Sequence, residues 1–183
     1  LGSDVPFCLA GGCAIATGRG EEINPIPNSA KLCAVLAKYT SLSVSTPWAY
    51  GSYRQQFEHT YLPLSKTASL AERRSRVHSG PIVQALSHQN QDDIGNHLYN
   101  DLEKVVLPAH PKVANLKAIM TDATHRQNGI GTLMSGSGPT VFSLTQTLEQ
   151  AQRLLTEIRQ TVNDPDLQLH AAEFSSQGIQ LKS

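Results

Sequence analysis

Apolar positions along the chain change their spacing several times, and each change marks an element. Residues 10–22, A-G-G-C-A-I-A-T-G-R-G-E-E, are rich in small residues and glycine and predict strand, turn and strand, a hairpin. Asn24, Pro25, Ile26, Pro27 and Asn28 then interrupt any regular element, because two prolines in three residues continue neither a helix nor a central strand. A domain boundary is placed there, with residues 1–29 on one side and residues 30–183 on the other. Leu32, Cys33, Ala34, Val35, Leu36 and Ala37 form a short continuous apolar run, as expected of a strand covered on both faces. Leu42 and Val44 are read as its continuation after a turn.

At Ser45, Thr46 and Pro47 the pattern becomes helical, since a hydroxyl residue followed by proline is a common helix start; Trp48, Ala49, Tyr50 and Tyr53 fall in the first two turns. Residues 65–96 carry many Ser, Gln, His and Arg side chains and read as exposed, with one short helix around Ile82, Val83, Ala85 and Leu86. Leu98, Leu102, Val105 and Val106 follow i, i+4, i+7, i+8 spacing behind Asn96 and predict one helix reaching Pro108. A second helix follows Pro111, carries Val113, Leu116, Ile119 and Met120, and ends near Asn128 and Gly129. The remainder reads as strand (132–134), glycine loop, strand (141–144), helix (Ala151, Leu154, Leu155, Ile158, Val162) and strand (167–174). The sum is an α+β unit, a sheet with helices on one face.

At 183 residues the chain can bury a substantial core, and its length suits one domain with a piece of a neighbour attached. Fifteen Lys+Arg against fifteen Asp+Glu leave no net field to draw it toward nucleic acid or an anionic membrane. The composition, 39% hydrophobic and 16% charged, is that of a folded chain rather than a disordered one. No apolar run approaches the roughly 20 residues needed to span a bilayer. The chain opens on Leu1 rather than an initiator Met, and residues upstream are expected to be missing. Cys8, Cys13 and Cys33 are odd in number and lack C-x-x-C spacing, so they read as buried apolar thiols in a reducing compartment rather than as a disulfide scaffold or zinc site.

Two runs carry candidate chemistry. In L-G-S-D-V-P-F at 1–7, Pro6 biases the residue before it away from helix, so the backbone is expected to turn and present Asp4 at a fixed angle. An aspartate carboxylate is ionised at neutral pH and can accept a hydroxyl proton, although a lone Asp beside a turn is also an ordinary cap. In Ser135, Gly136, Ser137 and Gly138, glycines alternate with hydroxyls between two apolar stretches. Two readings stand side by side: a nest of backbone N–H groups for an oxyanion, or a tight link between strands. The run is no dinucleotide fingerprint, because Val141 takes the third glycine position, and no Walker loop or serine-hydrolase elbow. Trp48, Tyr50 and Tyr53 could stack on a planar base, but core packing is the simpler reading for Trp48. The seven histidines show no metal-ligand spacing, and no metal site is assigned. Arg73, Arg74 and Arg76 read as a solvated basic turn.

Five segments in order, L-G-S-D-V-P-F at 1–7, G-G-C-A-I-A-T-G-R-G-E at 11–21, S-T-P-W-A-Y at 45–50, N-D-L-E at 100–103 and M-S-G-S-G-P-T-V-F at 134–142, resemble the GHMP kinase superfamily. Within it they resemble the branch acting on 4-diphosphocytidyl-2-C-methyl-D-erythritol, in its cyanobacterial and plastid versions. The resemblance implies transfer of the ATP γ-phosphoryl group, with Mg2+, to the 2-hydroxyl of that cytidine-diphosphate acceptor in the non-mevalonate route to isoprenoids. It further implies that Asp4 is the catalytic proton acceptor, that Tyr50 and Thr46 face the substrate, and that Ser135, Gly136, Ser137 and Gly138 support the phosphate loop. An S5-like first domain, of which residues 1–29 are a remnant, and a ferredoxin-like domain over residues 30–183 are implied as well. The family's glycine-rich ATP loop, its partner lysine and an aromatic–histidine pair for cytosine belong upstream of Leu1, so the chain resembles the last three-fifths of such an enzyme and is expected to be inactive alone. The expected compartment is a bacterial cytoplasm or the plastid stroma, with no nucleic-acid or membrane partner. The competing readings are a ferredoxin-like small-molecule-binding module without catalysis, and a related kinase whose acceptor is homoserine, mevalonate or a sugar.

Overall fold

A computed structural model describes residue 2 and residues 4–26, 31–60 and 79–180. The expected boundary falls partly on Pro27 and Asn28, and the basic turn at Arg73, Arg74 and Arg76 likewise lies outside the described residues. Near the start, Val5–Ala10 form helix α1 with Pro6 in its first turn. This departs from the expected non-helical bend, for a physical reason: first-turn N–H groups have no partner within the helix, so proline loses nothing there. The hairpin is present as β1 (Ala14–Thr17) and β2 (Glu22–Pro25), paired antiparallel with Ala14 opposite Pro25 and Thr17 opposite Glu22. A bond from Ile179 N–H to the Cys8 carbonyl (2.9 Å) ties α1 to the end of the chain. Of the three cysteines expected inside, Cys33 is buried, Cys13 is half-buried and Cys8 lies exposed on α1.

The main sheet has four antiparallel strands in the order β4 (Gly131–Met134), β5 (Val141–Thr145), β3 (Cys33–Tyr39), β6 (Leu167–Glu173). Helices carry the chain from β3 to β4 and from β5 to β6, which gives the interleaved pair of β-α-β units of a ferredoxin-like fold. Side chains alternate across β3, so Cys33, Val35, Ala37 and Tyr39 enter the main core. There they meet Val113, Leu116, Met120 and Ala123 of α6 (Pro111–Arg126) and Ala151, Leu154 and Ile158 of α7 (Leu148–Thr161). Each fully buried Leu, Ile or Met there is worth about 1.5–3 kcal/mol. The other face is covered too, contrary to the one-sided arrangement expected: Leu32, Ala34 and Leu144 pack on Ala85 of α3 (Ser79–Ser87) and Ile94 of α4 (Gln91–Asn96).

Gln150, buried in the first turn of α7, joins the two large helices. Its Nε2 donates to the carbonyls of Gln127 (2.7 Å) and Asn128 (2.9 Å), answering acceptors that the end of α6 leaves unpaired. Two further expectations change. Leu42 and Val44 lie in irregular chain rather than a strand. The single helix expected from Asn96 to Pro108 is instead α5 (Glu103–Ala109), preceded by an irregular stretch. The apolar stripe misled because Leu98 packs with the smaller cluster, on one side of the sheet, while Leu102, Val105 and Val106 enter the main core on the other.

Candidate active site

The glycine loop leaves β4 after Met134 and re-enters the sheet at β5. Ser135 N–H donates to the Thr140 carbonyl (2.8 Å) and Gly138 N–H to the Ser135 carbonyl (2.9 Å), so the loop closes on itself in one narrow turn. Gly136 and Gly138 have φ of +53° and +79°, the left-handed region that L side chains rarely adopt. At Gly138 a Cβ would also come within 2.7 Å of Met134 Sδ, whereas beside Gly136 there is open space. Between them, the N–H groups of Gly136 and Ser137 donate to no group among the described residues. Two consecutive undonated N–H groups beside open space are what an oxyanion needs.

The loop's shape is held from outside by residues 100–103. Asn100 Nδ2 donates to the carbonyls of Met134 (2.7 Å) and Gly136 (2.8 Å), while Asn100 Oδ1 accepts from Leu102 N–H (3.0 Å). Glu103 accepts the Met134 N–H on Oε1 (2.8 Å) and pairs through Oε2 with Lys117 of α6 (2.6 Å). Both backbone groups of Met134 are thus held by side chains of one four-residue run. The run N-D-L-E is one of the segments that carry the family resemblance, and the sequence alone assigns it no task.

Helix α2 (Thr46–Phe57) brings the second expected segment to this loop. Ser45 caps it by accepting from Trp48 N–H (3.4 Å), and Pro47 sits in the first turn, as the sequence predicted. The Thr46 and Ser137 hydroxyls are 2.8 Å apart. Tyr50 lies one turn further along the same side of the helix and is 57% exposed, leaving its ring available for stacking. Trp48, expected in the core, is 40% exposed and stands edge-on to His110, with ring centroids 5.4 Å apart.

Further along α2, Tyr53 donates its hydroxyl to Asp101 Oδ1 (2.7 Å), which also accepts from Tyr99 (2.8 Å) and Lys104 (2.9 Å). Burial opposes ionisation of Asp101, but these three donors outweigh it and hold the carboxyl below its ordinary range. Hydrogen bonding to Tyr99 and Asp101 pushes the Lys104 ammonium up in turn, and the ammonium lies 5.2 to 5.9 Å from the ring centroids of Tyr99, Phe57 and Tyr53.

Asp4 stands apart from this assembly in its bonding. It is exposed at the head of α1, its side chain makes no capping bond, and among the described residues no hydrogen bond or ion pair joins it to α2 or the glycine loop. Among the described residues no three His, Cys, Asp or Glu side chains gather as a metal site. Nor is any helix among them long and apolar enough to cross a membrane.

Residues 82–164 match the family described as GHMP kinases C terminal. All 183 residues align at 50% identity with the 4-diphosphocytidyl-2-C-methyl-D-erythritol kinase of Nostoc punctiforme, covering 56% of that protein. The chain is thus similar to the C-terminal part of GHMP kinases. It spans about half the length of the curated relatives it matches. Two solved kinase structures share its fold. A homoserine kinase from Cytophaga hutchinsonii has TM-score 0.65 at 22% identity, over 95% of this chain and 52% of that one. A 4-(cytidine 5'-diphospho)-2C-methyl-D-erythritol kinase has TM-score 0.60 at 24% identity, over 94% of this chain and 53% of that one.

Of the site residues expected from the sequence, the structure gathers Thr46, Ser135, Gly136, Ser137 and Gly138, with Tyr50 a turn away. Asn100 and Glu103 are what sequence reasoning missed. Their only sequence signal is that two polar residues with hydrogen-bonding side chains stand between the apolar positions of the predicted stripe, Asn100 between Leu98 and Leu102 and Glu103 between Leu102 and Val105.

Proposed function

We propose that this chain is the C-terminal part of a kinase that transfers the ATP γ-phosphoryl group to the 2-hydroxyl of 4-diphosphocytidyl-2-C-methyl-D-erythritol, in the non-mevalonate route to isoprenoids. The observation that carries the reading is 50% identity over the whole chain with a kinase of that name, with the Thr46–Ser137 contact joining the two segments such an enzyme needs side by side. The homoserine kinase shares the fold to a similar degree, so fold alone does not choose the acceptor. In this reading residues 1–29 belong to an S5-like first domain and residues 30–183 form the second.

Phosphoryl transfer asks a protein for in-line placement and charge stabilisation more than for covalent chemistry. Tyr50 offers a ring for the cytosine, and Thr46 presents its hydroxyl to the acceptor side. The undonated N–H groups of Gly136 and Ser137 stabilise phosphate oxygen as charge builds on it. Asp4 accepts the proton of the acceptor hydroxyl as the oxygen attacks phosphorus. Mg2+ would come with the nucleotide phosphates and neutralise part of their charge, since among the described residues no three His, Cys, Asp or Glu side chains gather to hold it.

The test uses the polypeptide encoded by the complete gene, with ATP, Mg2+ and each candidate acceptor, and follows the product by 31P NMR. A new phosphomonoester on the cytidine-diphosphate acceptor, absent with homoserine or mevalonate, is expected. Phosphorylation of homoserine or mevalonate in its place, or of none, overturns the reading. Asp4→Asn abolishes turnover and leaves nucleotide binding nearly intact; an unimpaired rate removes Asp4 as proton acceptor.

A further inference from the structure

We infer that Asn100 is a positioning residue for phosphoryl transfer, acting through the glycine loop and not on the substrate. This rests on the kinase reading above and adds a residue to it. The Asn100 amide bridges two carbonyls that flank Ser135, those of Met134 and Gly136, and its own oxygen is taken by Leu102 N–H. Bridging them sets the curvature of the segment that carries the two undonated N–H groups and leads into the Ser137 hydroxyl that meets Thr46. Glu103 adds a third point by holding Met134 N–H.

The chemistry is specific to an amide. Two donors and an acceptor on one short planar group are found in asparagine; aspartate keeps the shape and the acceptor but has no donor when ionised, and faces two carbonyl oxygens with a negative charge. Alanine leaves both carbonyls to water and frees the loop to change its bend. Loop N–H groups that drift by a fraction of an ångström are misplaced for charge that develops only in the transition state, so the loss falls on kcat.

The experiment compares wild type, Asn100→Ala and Asn100→Asp in the polypeptide encoded by the complete gene, at temperatures where circular dichroism reports each fully folded. For Asn100→Ala, kcat falls about 10- to 100-fold, while KM for the acceptor stays within about threefold. Asn100→Asp is poorer still at neutral pH and recovers toward wild type as the pH falls, because a protonated carboxyl regains one donor; Asn100→Ala shows no such recovery. A residue with a merely structural task leaves kcat of the folded enzyme unchanged and gives the two variants the same pH profile. Full kcat in Asn100→Ala beside an active wild type overturns the role of Asn100 alone. A wild type that phosphorylates nothing overturns the kinase reading and takes this role with it.

Discussion

At Asp101 a carboxylate collects the hydroxyls of Tyr53 and Tyr99 and the ammonium of Lys104, which lies against aromatic rings. At Asp166, on the turn before β6, a carboxylate collects the N–H (2.9 Å) and hydroxyl of Ser41, with the Lys112 ammonium 3.6 Å away, itself paired to Asp164 (3.0 Å) and 3.8 Å from the Tyr39 ring centroid. The ingredients are nearly the same: aspartate, hydroxyl, lysine and an aromatic face. At Asp166 the bonds fasten the turn after β3 to the turn before β6, and Lys112 ties both to the start of α6. At Asp101 the cluster anchors α2, and its sequence neighbours Asn100 and Glu103 shape a loop that keeps donors unspent. One set of contacts closes a structure; the other leaves backbone donors unspent, which is what the proposed kinase chemistry calls for.

The largest effect separating the two regions is expected at Glu103. Glu103→Ala leaves Met134 N–H and the largely buried Lys117 without their acceptor, and should cost about 3 kcal/mol in urea denaturation. A cost no greater than that of Asp166→Ala would erase the contrast. Next comes Asp101→Ala. Its side chain is 43% exposed, so solvent screening trims three charge-assisted bonds to about 1 kcal/mol. The change should show as faster amide exchange along α2 than along α7; uniform acceleration would mean that Asp101 does not anchor α2 in particular.

The smallest effect belongs to Asp166 and shows in how stability changes with pH. The Ser41 hydroxyl holds Asp166 below the ordinary carboxyl range, and the Asp166 N–H followed by Lys112 does the same for Asp164. Their contribution is complete above the unfolded-state value of about 3.9 and vanishes as the pH falls through the lower folded values. Wild type therefore loses stability below about pH 4, and Asp166→Asn has a lower neutral plateau with a shallower acid limb. An acid limb of unchanged slope takes Asp166 out of the comparison.

What could be read in advance was local. Ser45, Thr46 and Pro47 announce α2 because capping is settled within a turn, and the glycine loop announces itself because positive φ leaves a compositional trace. The stripe of α7 was legible because all its apolar residues face one core. The tasks of Asn100 and Glu103 were not, since their partners are backbone atoms 31 to 36 residues away, and a carbonyl oxygen is present at every position of every sequence. Leu98 and Leu102 share helical spacing yet lie on opposite sides of the sheet, which no periodicity can reveal before the sheet exists. The aspartate at position 4 stood out as a lone carboxylate close to a proline, but its catalytic role came through family likeness, and its own contacts add nothing to that.

Strand β4 is the outer member of its sheet, and an outer strand ordinarily offers its outward N–H and C=O groups to any extended segment that drifts past. At Met134 that offer is withdrawn, because an amide and a carboxylate occupy both groups as a fifth strand would. The side chains that shape the loop therefore also guard the rim of the sheet at that point, and a variant that releases them should gain a tendency to self-associate along with its altered loop.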